Sequence, residues 1–266
     1  QHRFGVDQRA ALRKESLSTK TLPHFLTMTA TPIPRTLSLT LFGDLDLSIL
    51  DELPPGRKSI ITRIVPNQKR QDGYHFIEEE IKKGRQAFVV CPLVGERMDL
   101  EDERKSVTVE YQNLSKNIYP DLKISYIYGK MKSDEKEKIM SDFAAGETNI
   151  LVSTSVIEVG IDVPNSTIMI IEDADHFGLS QLHQFRGRVG RGEHQSYCFL
   201  FTKSDSESVQ KRLNALVQTN DGFKLSEVDL EIRGPGDFIG ARQHGMPDIK
   251  MKNLMDLALI KRCRNA

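Results

Sequence analysis

The stretch Gln181-Leu-His-Gln-Phe-Arg-Gly-Arg-Val-Gly-Arg-Gly192 sets Arg186, Arg188 and Arg191 among Gly187, Gly190 and Gly192. A guanidinium is permanently charged and planar, and its fork of N–H donors matches the oxygens of a phosphate. Glycine lets the backbone approach a ligand closely and take turns closed to other residues. Together these residue types suggest a surface that grips a polyphosphate and stabilises charge as it is transferred. A set of structural ion pairs at a helix start is the alternative reading of the same residues.

Three further stretches carry polar chemistry at the ends of apolar runs. Thr29-Ala-Thr-Pro-Ile-Pro34 offers two hydroxyls on a rigid turn. Ser153-Thr-Ser-Val-Ile-Glu-Val-Gly-Ile-Asp-Val-Pro164 supplies hydroxyls, a flexible Gly160 and the carboxylate of Asp162. Hydroxyls and backbone amides there suit phosphates, and a carboxylate suits a ribose hydroxyl or an arginine. Glu227-Val-Asp-Leu-Glu-Ile-Arg-Gly-Pro-Gly-Asp237 continues through Arg242-Gln-His-Gly-Met-Pro247. Taken singly, each is also readable as hydroxyl caps, a hairpin turn or a glycine-rich loop.

The elements that must position these residues follow a strand–helix rhythm from Ser59 onward. Candidate strands are Ser59–Val65, Gln86–Val94, Lys123–Tyr128, Asn149–Ser153, Thr167–Ile171 and Ser196–Phe201. Several are near-continuous Val/Ile/Phe runs, as expected for strands covered on both faces of a parallel sheet. Between them, Gly73–Lys83 reads as a helix with Ile77 and Ile81 on one face. Asp134–Ala145 reads as another, capped by Ser133 and turning Ile139, Met140 and Phe143 inward. Residues 205–218 form a third amphipathic pattern, with Val209, Leu213, Leu216 and Val217 at core spacing. Strand, helix, strand in succession implies right-handed crossovers and an α/β open parallel sheet flanked by helices. Ligands of such sheets sit at the carboxyl ends of the strands, so the loops that follow them are where chemistry is expected.

Upstream, residues 8–20 read as a short polar helix, Phe25–Thr31 as a buried strand and Arg35–Phe42 as an apolar helix. Pro54-Pro-Gly56 marks a linker. The charge-dense segment Met98–Lys105 reads as a solvated loop. Asn253–Ala266 reads as a further helix.

The 266 residues are 38% hydrophobic and 28% charged, ordinary values for a globular protein. Lys plus Arg and Asp plus Glu balance at 37 each, so any basic surface is local. No apolar run approaches the roughly 20 residues that span a bilayer, so no membrane partner is expected. The three cysteines, Cys91, Cys198 and Cys263, lie far apart without CxxC spacing. That argues against a disulfide framework or a metal site and for buried thiols.

The motifs resemble those of superfamily 2 helicases across essentially the whole chain. Gln1-His2 is similar to the tail of a DExH box, Thr29-Ala-Thr31 to the third motif, Ser155–Asp162 to the fifth and Gln184–Arg191 to the sixth. Leu225–Pro247 resembles the translocation motif shared by the RecG family and the transcription–repair coupling factor. Asp51–Lys58, Val90–Val94 and Arg233-Gly-Pro-Gly236 are similar to the RecG version.

The resemblance implies a RecA-like second lobe at 61–203, after a first-lobe remnant at 1–52 and a link at 53–60. A helical hairpin and loop of the translocation motif would occupy 204–266. It implies an ATP- and Mg²⁺-dependent motor in the bacterial cytoplasm, at the nucleoid. Its DNA would be branched, as in stalled forks and Holliday junctions, and single-stranded DNA-binding protein would be a partner.

Carried over by position, Arg188 and Arg191 would reach the γ-phosphate, Arg191 as the finger, with Gln184 and Gly187 completing the motif. Gly160 and Asp162 would lie near the nucleotide, and Glu158 would couple to the arginine helix. Ser153, Thr154, Ser155, Lys130 and Lys132 would contact DNA. Thr29, Thr31, Arg233, Arg242 and Gln243 would couple hydrolysis to movement. No GxxxxGK[ST] phosphate loop occurs in these residues, so the chain by itself is expected to be inactive. The alternatives are a transcription–repair coupling translocase and a non-enzymatic nucleic-acid-binding module.

Overall fold

The computed structural model describes residues 26, 28, 48–50, 52, 54, 56–92, 100–154 and 162–233. The chain divides into two units, Gln1–Pro32 and Ile33–Ala266. In the first, Leu26 and Met28 are exposed and outside any strand, unlike the buried strand expected over Phe25–Thr31. The helices expected at 8–20, 35–42 and 253–266 lie outside the described residues, as do Cys263, Thr29, Thr31, Ser155, Glu158, Gly160, Arg242 and Gln243. The rest of this description concerns the second unit.

Six strands form one parallel sheet: β1 (Ile61–Pro66), β2 (Gln86–Val90), β3 (Ile124–Ile127), β4 (Ile150–Ser153), β5 (Ser166–Ile171) and β6 (Tyr197–Thr202). Their spatial order is β1-β6-β5-β2-β4-β3. Each coincides within a few residues with a run of β-branched and aromatic residues expected to be a strand. The central strands are buried on both faces: Phe88 and Val90 of β2 enter one core, while Ala87 and Val89 enter the other.

The helices are α1 (Arg70–Lys82), α2 (Leu100–Asn113), α3 (Ser133–Ala144), α4 (Leu179–Arg186), α5 (Glu207–Gln218) and α6 (Gly222–Arg233). Connections running one way across the sheet place α1 and α2 on one face, where Tyr74, Ile77, Ile81, Val107 and Leu114 are buried. Connections running back place α3 and α4 on the other, with Met140, Phe143, Leu182 and Phe185 buried. α5 and α6 join this second layer through Leu213, Leu216 and Leu225. The division by direction is what right-handed crossovers require.

Three local expectations change. Residues 100–105 open α2 instead of forming a loop. Acidic residues suit a helix N-terminus, and Val107 and Leu114 further along supply the apolar face that anchors the segment. Ser133 is the first residue of α3 and not its cap; Lys132 takes the cap position without a side-chain hydrogen bond. Val217 is exposed, because Leu213 and Leu216 already take the inward positions of α5. Cys91 and Cys198 are free and buried as expected.

Candidate functional site

The direction of α4 decides where the arginines go. The helix begins after β5 at the carboxyl edge of the sheet and runs back to the start of β6, so its C-terminal loop lies at the amino edge. There the residues before β1 and β5 surround it: Ile61 N–H donates to Ser196 O (3.0 Å), and Gln195 Nε2 donates to Ser59 O (2.8 Å). The arginine loop therefore lies at the edge opposite the carboxyl ends of the strands. A motif that precedes a strand through an antiparallel-running helix is delivered to the opposite edge.

Gly192 makes the local packing possible. A Cβ placed on it would come within 2.6 Å of Pro164 O, a backbone atom that cannot yield cheaply. The arginine loop can thus lie flat against the Val163–Pro164 segment, which brings Arg191 to Asp162 with Nη1–Oδ1 at 3.5 Å. The Arg191 side chain is 30% exposed and that of Asp162 63%. A pair this open contributes less than about 1 kcal/mol and leaves the guanidinium loosely held. Arg188 is half-buried in the turn that closes α4, its N–H donating to Phe185 O (2.9 Å). Gln184 and Gly187 are also half-buried.

Arg186 does something else. It is 2% exposed, and Nη1 donates to Leu216 O (2.7 Å) and Thr219 O (2.9 Å), carbonyls at the end of α5. Nη2 lies 2.9 Å from His183 Nδ1. Burial and the Arg186 charge push the His183 imidazole down to about 4, so it is neutral at ordinary pH and Nδ1 accepts. One of the three arginines is thus turned inward to satisfy helix-end carbonyls, and the phosphate-gripping reading does not extend to it.

The carboxyl edge carries a different set. Ser153 ends β4 and Thr154 follows it, both fully buried, with Ser153 Oγ donating to Thr154 O (2.8 Å). Lys130 and Lys132, in the loop after β3, are exposed. Lys136 Nζ donates to Gly129 O and so ties α3 to that loop. Arg233 ends α6.

Sequence reasoning missed a buried charged cluster at the same edge. β5 and β2 are neighbours whose connections leave in opposite directions, and Glu172 follows β5 at that divide, its N–H bonded to Val90 O (2.9 Å). Its Oε2 accepts from Arg70 Nη2 at the start of α1, while Oε1 is buried without a partner. Arg70 Nε donates to Tyr74 Oη (2.6 Å), and the guanidinium lies 4.6 Å from the Phe201 ring centre. Burial and the nearby Glu110 carboxylate push Glu172 up to about 7 against the pull of Arg70. Only the acid at the end of an apolar strand could have signalled this cluster in the sequence.

The sign of its effect on stability follows directly. A carboxyl raised in the folded state binds a proton there that the unfolded chain has already lost between about 4.5 and 7. Stability from this group is therefore full below that window and lost as pH rises through it, at no more than about 1.4 kcal/mol per pH unit. The thermal midpoint of the chain should fall between pH 5 and 7, and Glu172→Gln should flatten that slope. An unchanged slope in the variant would rule this carboxyl out as its source.

Among the described residues no group of three His, Cys, Asp or Glu side chains is arranged to hold a metal ion, and no helix is long and apolar enough to cross a membrane.

Comparison with known proteins agrees with this architecture. Residues 68–193 match the helicase conserved C-terminal domain, and residues 219–265 match the C-terminal part of domain 3 of the ATP-dependent DNA helicase RecG. The ATP-dependent DNA helicase RecG of Bacillus subtilis is 51% identical over 255 residues, spanning 96% of this chain and 36% of its own length. That of Thermotoga maritima is 46% identical over 265 residues, 99% of this chain and 33% of its own. A solved structure of RecG bound to a three-way DNA junction superposes with a TM-score of 0.68 at 40% identity, over 91% of this chain and 32% of that one. The chain thus spans about a third of the length of these relatives. With a parallel sheet of this order and both segments matched in sequence, nearly the whole chain is similar to about one third of the length of the RecG helicases.

Proposed function

We propose that this chain supplies the second motor lobe and the translocation segment of an ATP-dependent DNA helicase that remodels branched DNA. The observation that carries the reading is Arg191, held at the amino edge, among the described residues, by its open pair with Asp162. A guanidinium so placed is available to a phosphate presented from outside the lobe. ATP fits that donor set; negative charge is spread over the oxygens of the phosphoryl group as it is transferred, and Mg²⁺ would be held by ligands other than the described residues. Arg191 acts as the finger that neutralises this charge, beside Arg188, with Gln184 and Gly187 shaping the helix end. Asp162 returns Arg191 to its resting position; Gly160 and Asp162 serve the nucleotide, and Glu158 couples to the arginine helix.

Lys130 and Lys132 meet DNA phosphates, contacts that are independent of base sequence and weaken with salt. Hydroxyls and amides around Ser153, Thr154 and Ser155 supply the remaining DNA contacts, although the side chains of the first two are buried. Thr29, Thr31, Arg233, Arg242 and Gln243 couple turnover to movement along DNA. The division is a first-lobe part at 1–52, a link at 53–60, the second lobe at 61–203 and the translocation hairpin and loop at 204–266. The name of the junction-bound relative supports branched DNA as the substrate. Action at the bacterial nucleoid and association with single-stranded DNA-binding protein belong to the same reading.

Phosphate release by the purified 266-residue chain with forked DNA tests the division of labour. Background release is expected, because the sequence has no GxxxxGK[ST] loop to cradle a nucleotide. Robust turnover by this chain would overturn the reading of Arg191 as half of a shared site.

A further inference from the structure

The segment between Pro54 and Ile60 touches the arginine loop at three points. Pro54–Arg57 closes a turn, with the Arg57 N–H donating to Pro54 O (3.2 Å). That turn directs the Arg57 side chain onto the loop, where Nε donates to Gly190 O (2.8 Å) and Nη2 to Val189 O (3.4 Å). These carbonyls belong to the two residues immediately before Arg191. Ile60 packs on the same place: a Cβ on Gly190 would come within 3.0 Å of the Ile60 side chain. Ser59 O accepts from Gln195 Nε2 (2.8 Å) on the far side of the loop.

A planar guanidinium bonded to two successive carbonyls fixes both the position and the tilt of a peptide, which one ammonium bond cannot do. Gly190 has φ +76, so the backbone it bends is one with little stiffness of its own. The loop thus takes its shape from outside, through Arg57 on the Gly190 carbonyl and Pro164 against Gly192.

We propose that Arg57 is a positioning residue for Arg191: it clamps the Val189 and Gly190 carbonyls and passes movement of the 53–60 link to the finger. The inference rests on the reading of Arg191 as the charge-neutralising arginine. Arg57 itself touches no reacting atom. Its removal leaves Arg191 in place on average but no longer held to one geometry, so the loss falls on turnover and not on binding of ATP. Misplacement of a catalytic group by an ångström can cost up to about a hundredfold in rate.

Two measurements test it. In the 266-residue chain, hydrogen–deuterium exchange of Arg57→Ala should be faster over residues 188–192 and unchanged in β5 and β6. Unchanged exchange over 188–192 would overturn the clamp. In the complete helicase, Arg57→Ala should lower kcat for DNA-stimulated ATP hydrolysis between about tenfold and a hundredfold, with KM for ATP within about twofold. Arg57→Lys, which keeps the charge and one bond, should recover part of that loss. Wild-type kcat in Arg57→Ala would overturn the proposal, as would a rise in KM at constant kcat. The finger reading fails separately: normal turnover by Arg191→Ala would refute it while leaving the exchange result standing.

Discussion

Arg191→Ala in the complete helicase is expected to lower ATP turnover by about 10³–10⁵ while ATP affinity stays near that of the wild type. The asymmetry follows from when the side chain is needed. Before reaction Arg191 has Asp162 as a partner, at 3.5 Å and largely in solvent, and leaving it costs little. On the proposed reading the guanidinium meets charge spreading over a transferred phosphoryl group, an interaction of preorganised charge that is worth more than the open pair it leaves. An interaction made chiefly in the transition state lowers kcat and kcat/KM together when it is removed. Steady-state hydrolysis with saturating forked DNA, beside equilibrium binding of a fluorescent ATP analogue, separates the two quantities. Turnover at the wild-type rate would remove Arg191 from the chemistry, and a parallel collapse of ATP affinity would make it a ground-state ligand.

Arg186→Ala is expected to destabilise the lobe by about 3 kcal/mol. The substitution strips Leu216 O and Thr219 O of a buried charged donor. It also leaves a hollow between α4 and the end of α5. Water has poor access to a site where the side chain is 2% exposed, so those carbonyls gain no replacement of equal quality. For a unit of this size the corresponding fall in thermal midpoint is about 6–12 °C. Arg186→Lys should fall between the two, since an ammonium can reach one carbonyl but cannot fork between both and still meet His183. A variant melting with the wild type would mean that the cost of burying the guanidinium cancels its bonds. The effect belongs to folding, which separates Arg186 from its neighbours two and five residues on.

Much of the fold was legible because parallel strands covered on both faces must be continuous apolar runs. Gln86–Val90 and Ser166–Ile171 are such runs, and each became a strand within a residue or two of its expected start. The start of α2 was not legible. Its first turn is dense in charge and its anchoring residues, Val107 and Leu114, come late, so a local reading finds only a solvated loop. Glu172 illustrates a second limit. An acid after an apolar strand looks like the first residue of a loop, and only the sheet order β5-β2 reveals that it sits at a divide, facing Arg70 from 102 residues away.

The arginine motif shows the boundary between the two kinds of information most directly. Sequence alone determined that Gln181–Gly192 sets three arginines among three glycines ahead of a strand, and that its motifs resemble those of a helicase lobe. Those properties depend on residue type and short spacing, which are local. Tertiary structure decided which arginine faces outward: Arg186 and Arg191 are equally charged, yet one caps α5 and the other meets Asp162. It also decided that the loop lies at the amino edge and that Arg57, 133 residues from Gly190, holds it there. The reason is physical. A guanidinium's role is set by the carbonyls and carboxylates within its reach, and chain crossovers, not neighbouring residues, bring those partners to it.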